Sequence, residues 1–356
     1  MEEKAFHFLK ELIEAPSPSG FEQPAQRVLR KRLKGVVDHQ STDVMGNLIS
    51  RIDANRPDAP RVMLAGHCDE IGFMVQYIDD QGFISFTPIG GVDAHLVPGQ
   101  RVTIHSVAGP VRGIVGKKPI HLIEAKERET VVGFKDQYID IGVKDKEGAE
   151  KLIAIGDPMT FAAGLERLQG DIVVSRAFDD KMGAWVVARV LQEVRRAGVP
   201  SVELYGVSTV QEEVGLRGAT TSTYGVNPDV GIAIDVGFAT DCPGHDKRQH
   251  GDTKVGAGPI LARGANINPV LFELLVETAK ENAIPYQVNG AARATGTDAN
   301  VMQLTRSGVA TALISVPLRY MHSPGEVLSL ADLQATVKLL SAVIHRITDK
   351  KMFIPS

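Results

Sequence analysis

The chain has 356 residues, 43% hydrophobic and 23% charged, enough for a large core in one big domain or two. A net charge of -4 gives no basic surplus for nucleic acid or acidic lipid, so neither a nucleic-acid nor a membrane partner is indicated. Cys68 and Cys242 are too few for a disulfide framework and have no CxxC spacing; with an acidic start that lacks a secretory signal and no run of membrane-span length, they point to the reducing cytoplasm.

In chain order, Ala5, Phe6, Phe8, Leu9, Leu12 and Ile13 recur at helical spacing and predict an amphipathic helix over 3–14, stopped by APSPSG. A second helix is predicted over 22–33, with Pro24 tolerated in its first turn. VVDHQS, NLISRI and PRVMLAGH read as strands, the last delivering His67. From 72 to about 160 short runs such as FMVQYI, FISFTPI and RVTIHSV are broken by DDQG, IGG and VPG, which predicts an all-β insert. Residues 121–150 are charged and less regular, and read as a surface loop with a short helix near 146–149. Past Gly164 the helical period returns in DDKMGAWVVARVLQEVRRAG, after the strand-like DIVVS.

Further strands are predicted at 202–210, 229–235 and 254–262, then a helix over 268–282 with Pro269 at its first position. Another helix begins near Asp298, the strand VATALISV follows, and a closing helix has Ser329 as N-cap with Asp332 three residues on. The alternation predicts an α/β fold. Its mixed sheet, with helices on both faces, is built from 1–71 and 164–356 and interrupted by the β-rich insert 72–163.

Several acids and imidazoles close apolar runs. Glu212 and Glu213 stand side by side after the strand 202–210, where ligands collect in open α/β sheets. Like charges this close favour a compensating cation, although a solvated strand end would also explain them. In AGHCDEIG, His67 and Asp69 share a face of an extended chain, so the carboxylate can steady a metal-bound imidazole or simply form a buried His–Asp pair. Asp179 and Asp180 open a helix, a place the helix dipole alone accounts for. Asp235 ends the apolar strand GIAIDVG, where a buried charge must be paired, capped or metal-bound. His322 follows the strand ending at Val316 in RYMHSPGE, and an ordinary hydrogen-bonding role is open to it. Taken together, these nitrogen and oxygen donors suit zinc, cobalt or manganese. Five ligands, one of them bridging, would hold two cations about 3.5–4 Å apart.

AGHCDEIG, SRAFDDKMG, the EE of TVQEEVGLRGA, AIDVG, GTDA and RYMHSPGE, in this order, resemble the dinuclear-metal aminopeptidases that assemble into tetrahedral particles, a family with glutamyl and deblocking members. The resemblance runs essentially end to end. It implies two divalent ions per subunit, zinc or cobalt first. His67 and Asp235 would hold one, Glu213 and His322 the other, with Asp179 bridging, Glu212 as general base and acid, and Asp69 behind His67. It also implies short peptide substrates cut from the N-terminus, and a homo-oligomer, a dodecamer built from dimers, assembled with help from the insert. A metal-dependent deacylase with the same donors is the alternative. Arg263, Lys254 or Arg293 would favour acidic first residues if one lined the pocket, a solvated position being the plainer reading of each.

Overall fold

In the computed structural model, which describes residues 1–122, 124 and 128–355, the longest apolar runs form the middle of one sheet. Its strands lie in the order His39–Thr42, Leu48–Ile52, Glu203–Thr209, Arg61–His67, Val230–Phe238, Ala310–Leu318, Ile260–Gly264 and Gln287–Ala291. The central strands from Glu203–Thr209 to Ala310–Leu318 are mutually parallel, while their outer neighbours Leu48–Ile52 and Ile260–Gly264 pair antiparallel, so the sheet is mixed. Helices cover both faces, and the central strands are therefore apolar along almost their whole length. Phe178–Ala197 packs with Glu3–Glu14, Gln23–Leu33 and Leu330–Ile344 on one face; Arg217–Val226 and Asp298–Met302 pair on the other.

Parallel order brings the carboxyl ends of these strands to one edge. Thr209 is the register partner of His67, and Ser315 that of Asp235. Pairing between Arg61–His67 and Val230–Phe238 stops at Ala65 and Ala233, and past that point His67 and Asp235 both line a cleft.

The predicted β insert is a closed barrel whose strands run in the order Gly72–Ile78, Ile84–Ile89, Gln137–Asp140, Gly109–Lys117, Arg101–Ser106 and Pro158–Phe161. It has its own core, in which Phe73 meets Phe86 and Phe161 edge-on at 5.2 and 5.1 Å. The barrel strand Gln137–Asp140 falls inside the charged stretch read as a loop; with so few residues its alternation is too short to register. The short helix there is present at Lys146–Glu150, capped by Asp145.

The strand expected over 254–262 starts only at Ile260. Gly256 and Gly258 have φ of 87° and 92°, a left-handed turn, and donate their N–H groups to the Asp332 carboxylate at 2.6 and 2.7 Å. Asp332 thus serves a distant turn, and no reciprocal capping box forms; Ser329 alone caps the closing helix, accepting from the Ala331 N–H. Asn268 caps the helix Pro269–Glu281 as its sequence predicts. The helix Arg217–Val226 carries little sequence signal, because RGATTSTYGV is rich in Thr and Gly and has a weak apolar stripe.

Strand Arg61–His67 and the start of helix Phe178–Ala197 touch backbone to backbone: a Cβ on Gly66 would lie 2.5 Å from the Gly183 carbonyl carbon. Gly66→Ala is expected to destabilise the fold by about 1–3 kcal/mol through overpacking. A urea midpoint unchanged from wild type would show that the two elements can separate without loss.

Candidate metal centre

His67 and Asp235 are strand residues, whereas the other site side chains follow tight turns. Ala177, Gln211 and His322 have left-handed backbone, with φ of 60°, 55° and 60°, at or within two residues of Asp179, Glu212 and His322 itself. These turns redirect the chain from the sheet edge into the cleft, which has a volume of about 590 Å3 and is lined by His67, Asp179, Glu212, Glu213, Asp235 and His322.

Asp179 is at the centre. Its Oδ1 lies 3.2 Å from His67 Nε2, and its Oδ2 lies 3.2 Å from His322 Nε2. Glu212 Oε2 is 3.7 Å from His67 Nε2 and Glu213 Oε2 is 3.4 Å from His322 Nε2. His67, Glu212 and Asp235 offer donor atoms within 4.8 Å of one another, as do His67, Asp179 and Glu213. The six ionisable residues picked from separate stretches of the sequence therefore meet in one place.

Both imidazoles turn the same nitrogen inward. His67 Nδ1 lies 3.1 Å from the Asp69 carbonyl oxygen and 3.4 Å from Asp69 Oδ1. His322 Nδ1 lies 2.9 Å from the carbonyl oxygen of Gly91, in the barrel segment. Oxygens that only accept hold a proton on Nδ1 and turn Nε2 toward the Asp179 carboxylate, where a cation would take the place of the Nε2 proton.

A surrounding set of carboxylates holds the backbone of this cluster. Asp69 accepts from the N–H groups of Glu212 at 3.0 Å and Glu213 at 3.2 Å, and from Ser19 Oγ at 2.6 Å. Asp179 and Asp180, joined by a cis peptide, do not have helical dihedrals, so the helix dipole does not account for them as first-turn residues. They diverge: Asp179 enters the cluster, whereas Asp180 accepts from the N–H of Gly183 at 3.2 Å and of His67 at 3.1 Å. Glu326, quoted in the last sequence motif but given no role there, accepts from the N–H of Asp179 at 3.1 Å and of His322 at 3.0 Å. Asp298 accepts from Thr209 Oγ1 at 2.6 Å.

The cluster is short of positive charge. Burial drives Glu212 up to about 9, with Asp235, Asp298 and Glu213 adding repulsion against the pull of His67. Burial also raises Asp235 well above the usual carboxylate range, reinforced by Asp179 and Asp298. Contact with Asp179, then Glu213, lifts His322 to about 11. Among the described residues Glu213 Oε1 is buried with no hydrogen-bond partner. Two inward imidazole Nε2 atoms, an orphaned carboxylate oxygen and crowded acids are a donor set that fits divalent cations.

Glu326 holds two cluster residues by their backbone without facing the cleft itself. Glu326→Gln replaces one acceptor oxygen by an NH2 that opposes a backbone N–H, which should loosen the spacing of Asp179 and His322. Metal affinity is expected to fall about 10–100-fold with circular dichroism unchanged; a titration giving wild-type affinity would deny Glu326 this part.

Residues 46–339 match the model of the M42 glutamyl aminopeptidase family. The lysyl aminopeptidase of Pyrococcus furiosus is 37% identical, the alignment covering 96% of this chain and 97% of the relative. Among solved structures, the TET aminopeptidase of the marine sediment archaeon Thaumarchaeota archaeon SCGC AB-539-E09 superposes with a TM-score of 0.92 at 34% identity, covering 97% of both chains. The TET1 peptidase of Pyrococcus horikoshii, which can assemble into a tetrahedron or a large octahedral shell, superposes with a TM-score of 0.84 at 29% identity, covering 95% of this chain and 98% of its own. With most of its length matched by the family model and near-complete coverage of relatives above 30% identity, the chain belongs to the M42 glutamyl aminopeptidase family of metal-dependent peptidases.

Proposed function

We propose that this chain is a metal-dependent aminopeptidase whose site takes two divalent cations, zinc or cobalt. His67 and Asp235 would hold one, Glu213 and His322 the other, with Asp179 shared between them. The observation that carries this reading is the placement of the two Asp179 oxygens, each 3.2 Å from a different imidazole Nε2.

When bound, such ions supply a water of low pKa and a Lewis acid for the scissile carbonyl. The protein's own part is positioning and proton transfer. Glu212 takes a proton from the attacking water and returns it to the leaving amine. Its oxygen, 3.7 Å from His67 Nε2, is too far for a direct hydrogen bond, and its backbone is fixed by Asp69. Acidic side chains at the cluster meet the free α-ammonium of a short peptide, which directs cleavage to the N-terminus.

The barrel, taken as the unit 72–163 set into the catalytic unit 1–71 and 164–356, serves assembly into a dodecamer built from dimers. Exposed Val107, Leu122 and Val131 on the barrel segment support that role, as does the tetrahedral assembly of the Pyrococcus horikoshii relative. The enzyme is placed in the cytoplasm, where free thiols such as Cys68 and Cys242 stay reduced, with neither nucleic-acid nor membrane partners in this reading. No helix among the described residues is long and apolar enough to cross a membrane.

Glu212→Gln is expected to lower kcat about 10²–10⁴-fold on a free-amine peptide while bound metal, counted by elemental analysis, stays at the wild-type level. Hydrolysis confined to N-acylated peptides would assign the site to a deacylase instead. Chelation should abolish turnover and added zinc or cobalt restore it; activity that survives exhaustive chelation would remove the ions from the mechanism. Light scattering should give the mass of a dodecamer, and a monomer would end the assembly role of the barrel.

A further inference from the structure

Away from the ion cluster the cleft wall is neutral. Leu216, Val236, Phe238, Ile260, Ala262 and Leu313 line it, and among the described lining residues the only ionisable ones belong to the cluster itself. The nearby cations do not line the cleft. Arg263 lies 3.8 Å from Glu273 with its guanidinium 5.2 Å from the Phe272 ring centroid, and Lys254 lies 3.7 Å from Asp252. Arg319 is held by both oxygens of Asp241, at 2.8 and 2.6 Å. Arg293 is exposed and does not line the cleft.

Gly237 lets the strands beneath the cleft pack closely. A Cβ there would sit 2.9 Å from both Ile260 Cδ1 and Ser315 Cβ, so a larger residue would close the space between the strands Val230–Phe238, Ile260–Gly264 and Ala310–Leu318. Near the mouth Phe238 is 63% exposed, leaving apolar surface for a ligand to cover.

We propose that the cleft selects peptides whose first residue is a medium-sized apolar one, such as Leu, Met or Phe, and discriminates against acidic and basic first residues. The proposal rests on the aminopeptidase reading above. Away from the cluster, a first side chain meets apolar carbon and the uncharged Asn289, Thr295, Thr297 and Ser315, but no counter-ion. A carboxylate or ammonium placed there gives up hydration without an opposite charge, whereas Leu or Met gains by leaving water. The Pyrococcus furiosus relative is named for lysine and the family for glutamate; neither preference has a matching charge on this wall.

The test is kcat/KM of the metal-loaded enzyme on p-nitroanilides of Leu, Met, Phe, Lys and Glu, with N-acetyl-Leu p-nitroanilide alongside. The apolar substrates should exceed the Lys and Glu substrates by at least about 10-fold. A Lys or Glu substrate equal to or better than Leu would overturn the proposal while leaving the aminopeptidase reading intact. Hydrolysis of the N-acetyl substrate alone would overturn that reading and the proposal with it. Ala262→Glu adds a wall carboxylate and should raise the Lys-to-Leu ratio about 10-fold. An unchanged ratio in a variant with wild-type circular dichroism would overturn contact between this wall and the first side chain; should the variant not fold, the wild-type series decides.

Discussion

Acids of like charge do not gather by attraction, and the interaction that assembles this site is the hydrogen bond from a backbone N–H to an outer carboxylate. Asp69 takes the N–H groups of Glu212 and Glu213, Asp180 takes that of His67, and Glu326 takes those of Asp179 and His322. Every inner residue except Asp235 is thus gripped by its main chain, leaving its side chain free for another partner. At these buried positions the bonds are poorly screened. Burial raises Asp180 and Glu326 well above the usual carboxylate range, whereas, against burial, contact with His67 holds Asp69 below it. Asp235 needs no such grip, because it lies within a paired strand and its Oδ1 accepts from the next residue's N–H at 2.7 Å.

A second buried network anchors the grip to the rest of the molecule. Lys181 Nζ donates to Glu70 Oε1 at 2.6 Å and to the Ile13 carbonyl at 3.2 Å, and Arg176 pairs with the other Glu70 oxygen. Burial pulls the Lys181 ammonium down to about 8 against the attraction of Glu70, while Arg176 and Lys181 overcome burial to hold Glu70 below the usual carboxylate range. Removing one member of such a set leaves the others charged and unpaired, a far larger penalty than never having built it. The network ties the end of the first helix to the chain just after His67 and just around Asp179. Sheet edge and helix start therefore move as one body.

The alternation of strands and helices, the β insert and the inner residues were legible because each rests on a local pattern. His67 closes an apolar run, His322 follows another and Glu212 and Glu213 follow a third, while Asp235, expected at the end of its strand, sits inside Val230–Phe238. What escaped rests on contacts between distant parts of the chain. Asp332 looks like half of a capping box until the turn at Gly256 and Gly258 is folded beside it. Read locally, Asp179 and Asp180 look like a first helical turn; the resemblance singles out Asp179, but only the backbone angles show how it diverges from Asp180, which caps. Glu326 lies near His322 in sequence, yet its second partner, Asp179, is 147 positions away. Ser19 and Gly91 reach the site from segments that carry no chemical signature of their own.

The contact of His322 with Gly91 bears on how this architecture could be altered. Gly91 follows a barrel strand, and a Cβ there would approach His322 Nδ1 to 3.0 Å, so the corner is fitted to the ring. Excising the barrel and rejoining the chain would take away the oxygen that fixes the imidazole's tautomer and orientation, even though none of the inner acids would be touched. The module outside the sheet is thus a working part of the reaction chamber, and one that cannot be grafted, shortened or swapped as though it were a handle.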